Sequence, residues 1–409
     1  MKILLLTSEF APLAGGIGTY ASEVARAATE LGADVTAIAP DYGQDNRVAD
    51  RLLPFEVRRY SGGRHSMRQL PAKVRLAREH VAADYYDIVH AADWPFFIPV
   101  ALARPLTDAR TVMTVHGTEI NEVQTPLKRL AIRAARVFTP EVLIAANSDY
   151  TSDLFRSHFP SQAQQVRAIP LGVSDFWFAD RKPAAETRRA HQIAADRIVM
   201  VTVARLTRRK GHLLTLEALS QLPSEMRRQI TWLIIGPDGE ADYVSELRAA
   251  AGAADCDVRF LGSLLDQDIR DIYGASDIFC LTGIPEASGR VEGFGLVYLE
   301  AGATGLPSLA TNIGGVSDAV VDGEAGLLVQ PTAHEISRAI AKLAGNGDLR
   351  RSLATGALAN AWRLSWRRCA AETYSLAQEE AGDAEGTADQ TRPLLRAPPA
   401  ASMPQPQSV

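Results

Sequence analysis

The chain has 409 residues, 46% of them hydrophobic, which is enough for two cores at roughly 100–200 residues per domain. A net charge of −5 gives no sign of a nucleic-acid binder, and Cys256, Cys280 and Cys369 are too far apart for a metal-spaced or redox pair, which suits a reducing compartment. The opening "MKILLLTSEF" is interrupted by Ser8 and Glu9 too early for a signal peptide, and no run approaches the roughly 18 apolar residues of a membrane span. A cytoplasmic protein is expected.

In chain order, short β-branched runs alternate with amphipathic stretches, as parallel strands covered by helices require. In the first half the strand candidates are residues 2–7, 34–39, 87–91, 111–115, 141–146 and 166–170. "LGVSDFWFADRKPAAE" (171–186) reads as a connector with exposed aromatics, and the pattern then restarts at 197–204, 230–236, 257–262, 277–282 and 307–311. The expected fold is α/β: two doubly wound, Rossmann-like domains, residues 1–175 and 176–362, facing across a cleft. Residues 382–409, Pro-rich and non-periodic, read as a disordered tail.

In such sheets ligands sit beyond the carboxyl ends of the strands, so the loops there carry the chemistry. After the first strand, Gly16, Gly18 and Ala21 satisfy G-x-G-x-x-A, and Asp41 ends the second strand where a ribose-binding acid would lie. The glycines, however, come well after the strand end at Ser8, whereas a dinucleotide turn follows its strand at once. The competing readings are a structural loop, or a loop opening a helix toward a phosphate or sugar. In "ARLTRRKGHLL", Arg205 just past a strand and Lys210 at a helix start can converge on one anion, with Arg208 and Arg209 read as solvated.

"RVEGFGLVYLEAGATGLP" places Glu292 before a Gly-Phe-Gly turn and Glu300 inside an apolar run. Carboxylates are costly to take out of water unless something meets them. A helix starting near Gly295 leaves its first N–H groups free, puts Leu296, Leu299 and Ala303 on a core face, and lets Gly293 and Gly295 bring the backbone close to a ligand. Two acceptors flanking a helix N-terminus and two cations suit the hydroxyls on either side of a pyrophosphate, the shape of a sugar nucleotide.

"RLTRRKG", "EGFGLVYLEAGATGLPSLAT" and "GGVSDAVVDGEAGLLVQP" together resemble glycosyltransferase family four, retaining sugar-nucleotide transferases of the GT-B fold, over roughly residues 1–380. The resemblance implies that Glu292 bonds a donor-sugar hydroxyl and Glu300 the ribose, and that Arg205 and Lys210 stabilise the diphosphate. It also implies that the backbone of Gly293, Phe294, Gly295 and Leu296 approaches the diphosphate, that Gly15 and Gly16 form the glycine loop of the acceptor domain, and that His116 in "TVHGTE" contacts the donor sugar. Asp238 in "IIGPDGE" and Leu264 in "LGSLL" are placed to border the base, a plain turn being the other reading. "LSWRRCAAETYSLAQ" resembles the terminal helix, within 363–381, that returns to the first domain.

Two Asp-x-Asp triplets, Asp255–Asp257 and Asp266–Asp268, are not placed as metal sites, the second reading as a helix cap. No metal and no cofactor beyond the sugar-nucleotide co-substrate, UDP- or GDP-linked, is expected. Leu13, two residues before Gly15, departs from the starch and glycogen synthase pattern. Residues 51–80 carry a net charge of +6, and "PLKRLAIRAARVF" (126–138) places Lys128, Arg129, Arg133 and Arg136 on one helical face. Such patches suit an anionic acceptor or the inner face of a membrane, or else are solvated helices. The expected activity is transfer of a mannosyl- or glucosyl-type hexose to a hydroxyl of a saccharide or lipid-linked acceptor in cell-surface polysaccharide or glycolipid synthesis. The alternatives are a sugar-nucleotide epimerase or hydrolase, and a non-catalytic sugar-nucleotide binder.

Overall fold

Mostly aliphatic runs of three to eight residues, too short for stable helices, become strands, the central ones buried on both faces. The computed structural model describes residues 1–12, 15–43, 46–62, 67–117, 120, 126–162, 164–286 and 289–377. The expected tail lies outside them.

The first sheet comprises β1 (Lys2–Leu6), β2 (Asp34–Asp41), β3 (Glu56–Ser61), β4 (Ile88–Ala91), β5 (Arg110–Val115), β6 (Val142–Ala146) and β7 (Val166–Ala168), in the order β3-β2-β1-β4-β5-β6-β7. The second comprises β8 (Ile198–Val203), β9 (Ile230–Ile235), β10 (Asp257–Gly262), β11 (Ile278–Leu281), β12 (Ser308–Thr311) and β13 (Gly326–Val329), in the order β10-β9-β8-β11-β12-β13. All neighbours pair in parallel. The winding reverses beside β1 and β4 in one sheet and beside β8 and β11 in the other, and a doubly wound sheet opens its ligand crevice at such points. Leu6 lies level with both Ile38 and Ala91, so the loops after β1, β2 and β4 leave the sheet together. This is the expected doubly wound α/β fold.

The loops at the carboxyl ends of the two sheets meet. A Cβ at Gly293 would collide with the His116 carbonyl oxygen, and one at Gly315 would lie 2.6 Å from the Ser148 hydroxyl oxygen. The Asp149 N–H donates to Asp318 Oδ1 at 3.0 Å across the same seam. The glycines are there because no other residue leaves room for these approaches.

The helix Trp366–Tyr374 packs on the first domain, beside the helix Gly16–Glu30. Trp366, Cys369 and Tyr374 are buried, and each fully buried large side chain contributes about 1.5–3 kcal/mol. His90 bridges the Tyr374 hydroxyl and Thr114 Oγ1, both at 2.8 Å, and burial holds its imidazole neutral by lowering its pKa to about 3.

Four local expectations change. β3 and β13 were not foreseen as strands. The connector's aromatics are not uniformly exposed: Trp177 is buried against Tyr273, and Phe178 stacks on Trp362 at 4.0 Å. The helix Pro126–Ala134 stops before Arg136, whose φ of 49° lies in the left-handed region, so the four cations do not share one helical face. Two of the cations in 51–80 are ion-paired within the fold, Arg58 with Glu56 and Arg59 with Asp50.

Candidate active site

The loop after β8 is shaped by its neighbours. Arg208–Lys210 forms a tight turn that Gly211 closes with φ 72°, and a Cβ there would strike the Thr282 carbonyl. The Ile284 N–H donates to the Arg209 carbonyl at 2.9 Å, and the Thr215 and Thr282 hydroxyls share a bond of 2.6 Å. The ends of β8 and β11 are thus tied together, and the turn's cations face the β11 loop.

Glu292 lies in that loop. Its Oε2 is 2.5 Å from Lys210 Nζ and 3.1 Å from an Arg209 guanidinium nitrogen. Burial alone would raise this carboxyl, but the two cations hold it at about 2. Arg209, read from sequence as solvated, is therefore part of the site, and it also reaches Glu286 at 3.7 Å. Arg208 faces outward, as expected, and pairs with Glu246. Arg205 is exposed at the end of β8, where its side chain makes no hydrogen bond or ion pair among the described residues.

The helix Leu296–Ala303 begins at Gly295, whose φ is 95°, with no side chain capping it. Phe294 is buried, so a ligand would meet its backbone rather than its ring. Leu299 and Ala303 are buried as expected, while Leu296 is only partly so. Glu300 lies further along, without a hydrogen bond or ion pair among the described residues. Burial, with the Asp266 charge adding to it, raises its carboxyl to about 8. One helix thus holds an ion-paired carboxylate at its mouth and an unpartnered one in its second turn.

From the first domain, His116 leaves the end of β5. Its Nε2 is 2.9 Å from the Ala92 carbonyl, which only accepts, so Nε2 carries a proton. The ring rests against Tyr20 at 5.0 Å. Gly15 precedes the helix Gly16–Glu30, and a Cβ on it would lie 3.3 Å from Glu9 Oε2, whereas one on Gly16 would meet nothing within 4 Å. Gly16, Gly18 and Ala21 are all inside the helix rather than in a tight turn after β1, which removes the geometry a dinucleotide fingerprint needs.

Sequence reasoning missed two carboxyls here. Asp93 is 1% exposed and accepts from the Ser8 N–H and hydroxyl at 2.7 and 2.6 Å, leaving Oδ1 without a partner. Burial raises the Glu9 carboxyl, and Asp93 adds to the rise, while His116 and Arg205 oppose it. Both residues follow strand ends, the signal that selected the others.

Asp238 bridges to Leu206 through its backbone, but its side chain turns outward to Arg248 at 3.2 Å. Leu264 is partly buried against the core that holds the helix Leu296–Ala303. Asp257 is engaged by Arg259 at 2.7 Å and Asp255 by Arg227 at 3.2 Å. Among the described residues no group of His, Cys, Asp and Glu is arranged to hold a metal ion, and no helix is long and apolar enough to cross a membrane.

The family profile for glycosyl transferases group 1 matches residues 184–358, and that for Glycosyltransferase Family 4 matches 14–175. A GDP-mannose-dependent alpha-(1-6)-phosphatidylinositol monomannoside mannosyltransferase of Mycobacterium tuberculosis is 28% identical over 379 residues, covering 90% of this chain and 94% of the relative. A D-inositol 3-phosphate glycosyltransferase of Kribbella flavida is 28% identical, covering 88% and 90%. In fold, the chain resembles a glycosyltransferase from Rickettsia africae, with a TM-score of 0.77 at 20% identity over 91% of this chain and 97% of the other. It also resembles Anabaena HepE in complex with UDP and glucose, with a TM-score of 0.71 at 22% identity over 92% and 99%.

Proposed function

Because the chain belongs to the family 4, group 1 glycosyltransferases and is a hexosyltransferase, we propose that it moves a mannosyl-type hexose from a nucleoside-diphosphate sugar to a hydroxyl of a phosphate-bearing, lipid-linked or saccharide acceptor. What supports this most is the convergence of Lys210, Arg209 and Glu292 at the mouth of the helix Leu296–Ala303, with Gly293 against the His116 carbonyl. The mannosyltransferase relatives favour GDP-mannose as the first donor to try, and their lipid acceptors favour an enzyme working at a membrane surface.

In this reading the diphosphate takes over the cations that Glu292 now occupies. Arg205 and Lys210 meet its oxygens, with the uncapped helix start beside them. Glu292, released, accepts a hydroxyl of the donor sugar, and Glu300 accepts the ribose hydroxyls. The bond between the anomeric carbon and the diphosphate oxygen breaks, and its electron pair stays on the diphosphate, where fixed cations and N–H groups lower the barrier. The acceptor oxygen bonds to the same face, its proton passing to a leaving phosphate oxygen, so configuration is retained. Residues of both domains surround the reacting carbon, and their closure excludes water. The charges supplied by Arg205 and Lys210 serve where other transferases use a divalent metal.

The test is formation of glycosylated product and nucleoside diphosphate in equal amounts, dependent on acceptor, with GDP-mannose set against UDP-glucose. Nucleotide release or sugar inversion proceeding at full rate without acceptor would replace this reading with a hydrolase or an epimerase.

A further inference from the structure

The transfer as derived leaves two carboxyls in the crevice of the first sheet without a part, and the fold treats them differently. The ends of β1, β4 and β5 are tied together: the Ala92 N–H donates to the Leu6 carbonyl at 2.9 Å, and His116 Nε2 donates to the Ala92 carbonyl at 2.9 Å. Asp93 is sealed into this junction and spends one oxygen on Ser8. Glu9 comes next in the chain, and one hydroxyl fixes its backbone on both sides. Thr7 Oγ1 accepts the Glu9 N–H at 3.2 Å and donates to the Glu9 carbonyl at 2.8 Å. Phe10, which follows, is fully buried. A strand end held in this way presents its side chain from a fixed point.

The Glu9 side chain, unlike that of Asp93, is half-buried with neither oxygen sealed from solvent, and it makes no hydrogen bond or ion pair among the described residues. Gly15 gives it room: a φ of 170° suits any residue, but a Cβ there would lie 3.3 Å from Glu9 Oε2. The charges of Asp93, His116 and Arg205 act on this carboxyl, and it acts in turn on Tyr42. His116 and Arg205 come from opposite domains, so Glu9 stands beside the place where Arg205 would meet the diphosphate. In same-face attack the entering oxygen arrives next to the leaving one, and that corner is where the acceptor has to stand. The half-exposed Tyr42 hydroxyl accepts from the Phe10 N–H at 3.2 Å, which leaves its own proton to donate. A carboxylate that accepts and a phenol that donates match two adjacent neutral hydroxyls, while Glu9 and Asp93 together repel an anion at this spot.

We propose that Glu9 is a specificity-determining residue of the transfer: its carboxylate accepts an acceptor hydroxyl adjacent to the attacking one, and the Tyr42 hydroxyl donates to an oxygen beside it. Glu9 takes no proton in the reaction, which still passes the acceptor proton to the leaving phosphate; it selects which hydroxyl faces the anomeric carbon. The assignment rests on the transferase reading, and it requires the reacting end of the acceptor to be neutral and polyhydroxylated.

The test measures transfer to methyl α-D-mannopyranoside and methyl α-D-glucopyranoside, and to their monodeoxy forms, from the nucleotide sugar that the full-length protein turns over. Glu9→Gln should lower kcat/KM for the parent glycoside at least about tenfold, as loss of a charge-assisted bond predicts, with nucleoside-diphosphate affinity unchanged. One deoxy form should show a similar loss with the wild type and no further loss with Glu9→Gln, a dependence on a single hydroxyl that a merely structural role would not produce. Transfer by Glu9→Gln at the wild-type rate, an equal loss on every deoxy form, or no transfer by the wild type to either glycoside overturns the proposal. Should Glu9→Gln lose nucleotide binding through misfolding, Tyr42→Phe decides: a several-fold loss confined to acceptors that keep one particular hydroxyl supports the site, and unchanged transfer refutes it. A protein that forms glycosylated product with other acceptors but with neither glycoside keeps the transferase reading and loses this one; a protein that forms none with any acceptor loses both.

Discussion

If Glu300 accepts the ribose hydroxyls as proposed, donor binding is a proton-linked event. Burial raises its carboxyl from 4.5 to about 8, so at neutral pH the free protein holds it mostly protonated. A ribose whose hydroxyls both donate needs the carboxylate, and binding must then expel a proton. With a pKa near 8, about 3% of the carboxyl is ionised at pH 6.5 and about three quarters at pH 8.5, so affinity should rise roughly 25-fold between them. Calorimetric titration of GDP or UDP in two buffers of different ionisation enthalpy reads both the rise and the proton release, close to one per nucleotide at pH 7. Glu300→Gln, which cannot titrate, should bind more weakly at pH 8.5 and lose the pH dependence. An affinity flat from pH 6.5 to 8.5 in the wild type, with no proton released, would refute the reasoning. The same shift bears on stability: the native state keeps a proton that the unfolded chain surrenders near 4.5, so stability falls as pH rises from 4.5 through 8. At ~1.36 kcal/mol per unit the ceiling on that loss is about 5 kcal/mol, and Glu300→Gln should remove it.

Glu292 behaves oppositely. Its carboxyl is held at about 2, so its contribution is complete above 4.5 and disappears as pH falls through 2; Lys210→Ala should flatten that acid limb of a thermal-unfolding profile and lower kcat by about 100-fold or more. Gly16→Ala should leave stability unchanged or raised by up to ~1 kcal/mol, because a Cβ there meets nothing and alanine favours the helix, yet it should depress turnover where the ligand approaches; unaltered kinetics would remove Gly16 from the site. Gly293→Ala, whose Cβ would press on the His116 carbonyl, should lower kcat while leaving nucleotide affinity within a few-fold, as measured by titration alongside steady-state rates. Excess chelator should not slow the reaction, and a rate restored only by added divalent ion would show that Arg205 and Lys210 do not suffice for the leaving diphosphate.

Apart from β3 and β13, the strands of both sheets were legible because their signals are local: an aliphatic run sets each strand, and glycines mark where loops must touch. β3 was hidden because "EVRRYS" is an edge strand whose cations look like surface, and β13 because its four residues sit among turn glycines. The same limit applied to the site. Nothing in "RRK" says which cation turns inward; the turn closed by Gly211 decides it and brings Arg209 onto Glu292. Glu9 and Asp93 belong to no motif, and their unusual surroundings arise only when β1 and β4 align. Asp238, attractive beside the β9 turn, was lost to Arg248 on the following helix.

The most direct test of the central claim is thermal unfolding of the protein with UDP, GDP or ADP, and with NAD as control. One nucleoside diphosphate, at about a hundred times its dissociation constant, should stabilise the protein by roughly 2.7 kcal/mol, and Glu300→Ala should abolish the shift. A shift with NAD alone, or one with a nucleoside diphosphate that survives Glu300→Ala and Lys210→Ala unchanged, would contradict the account.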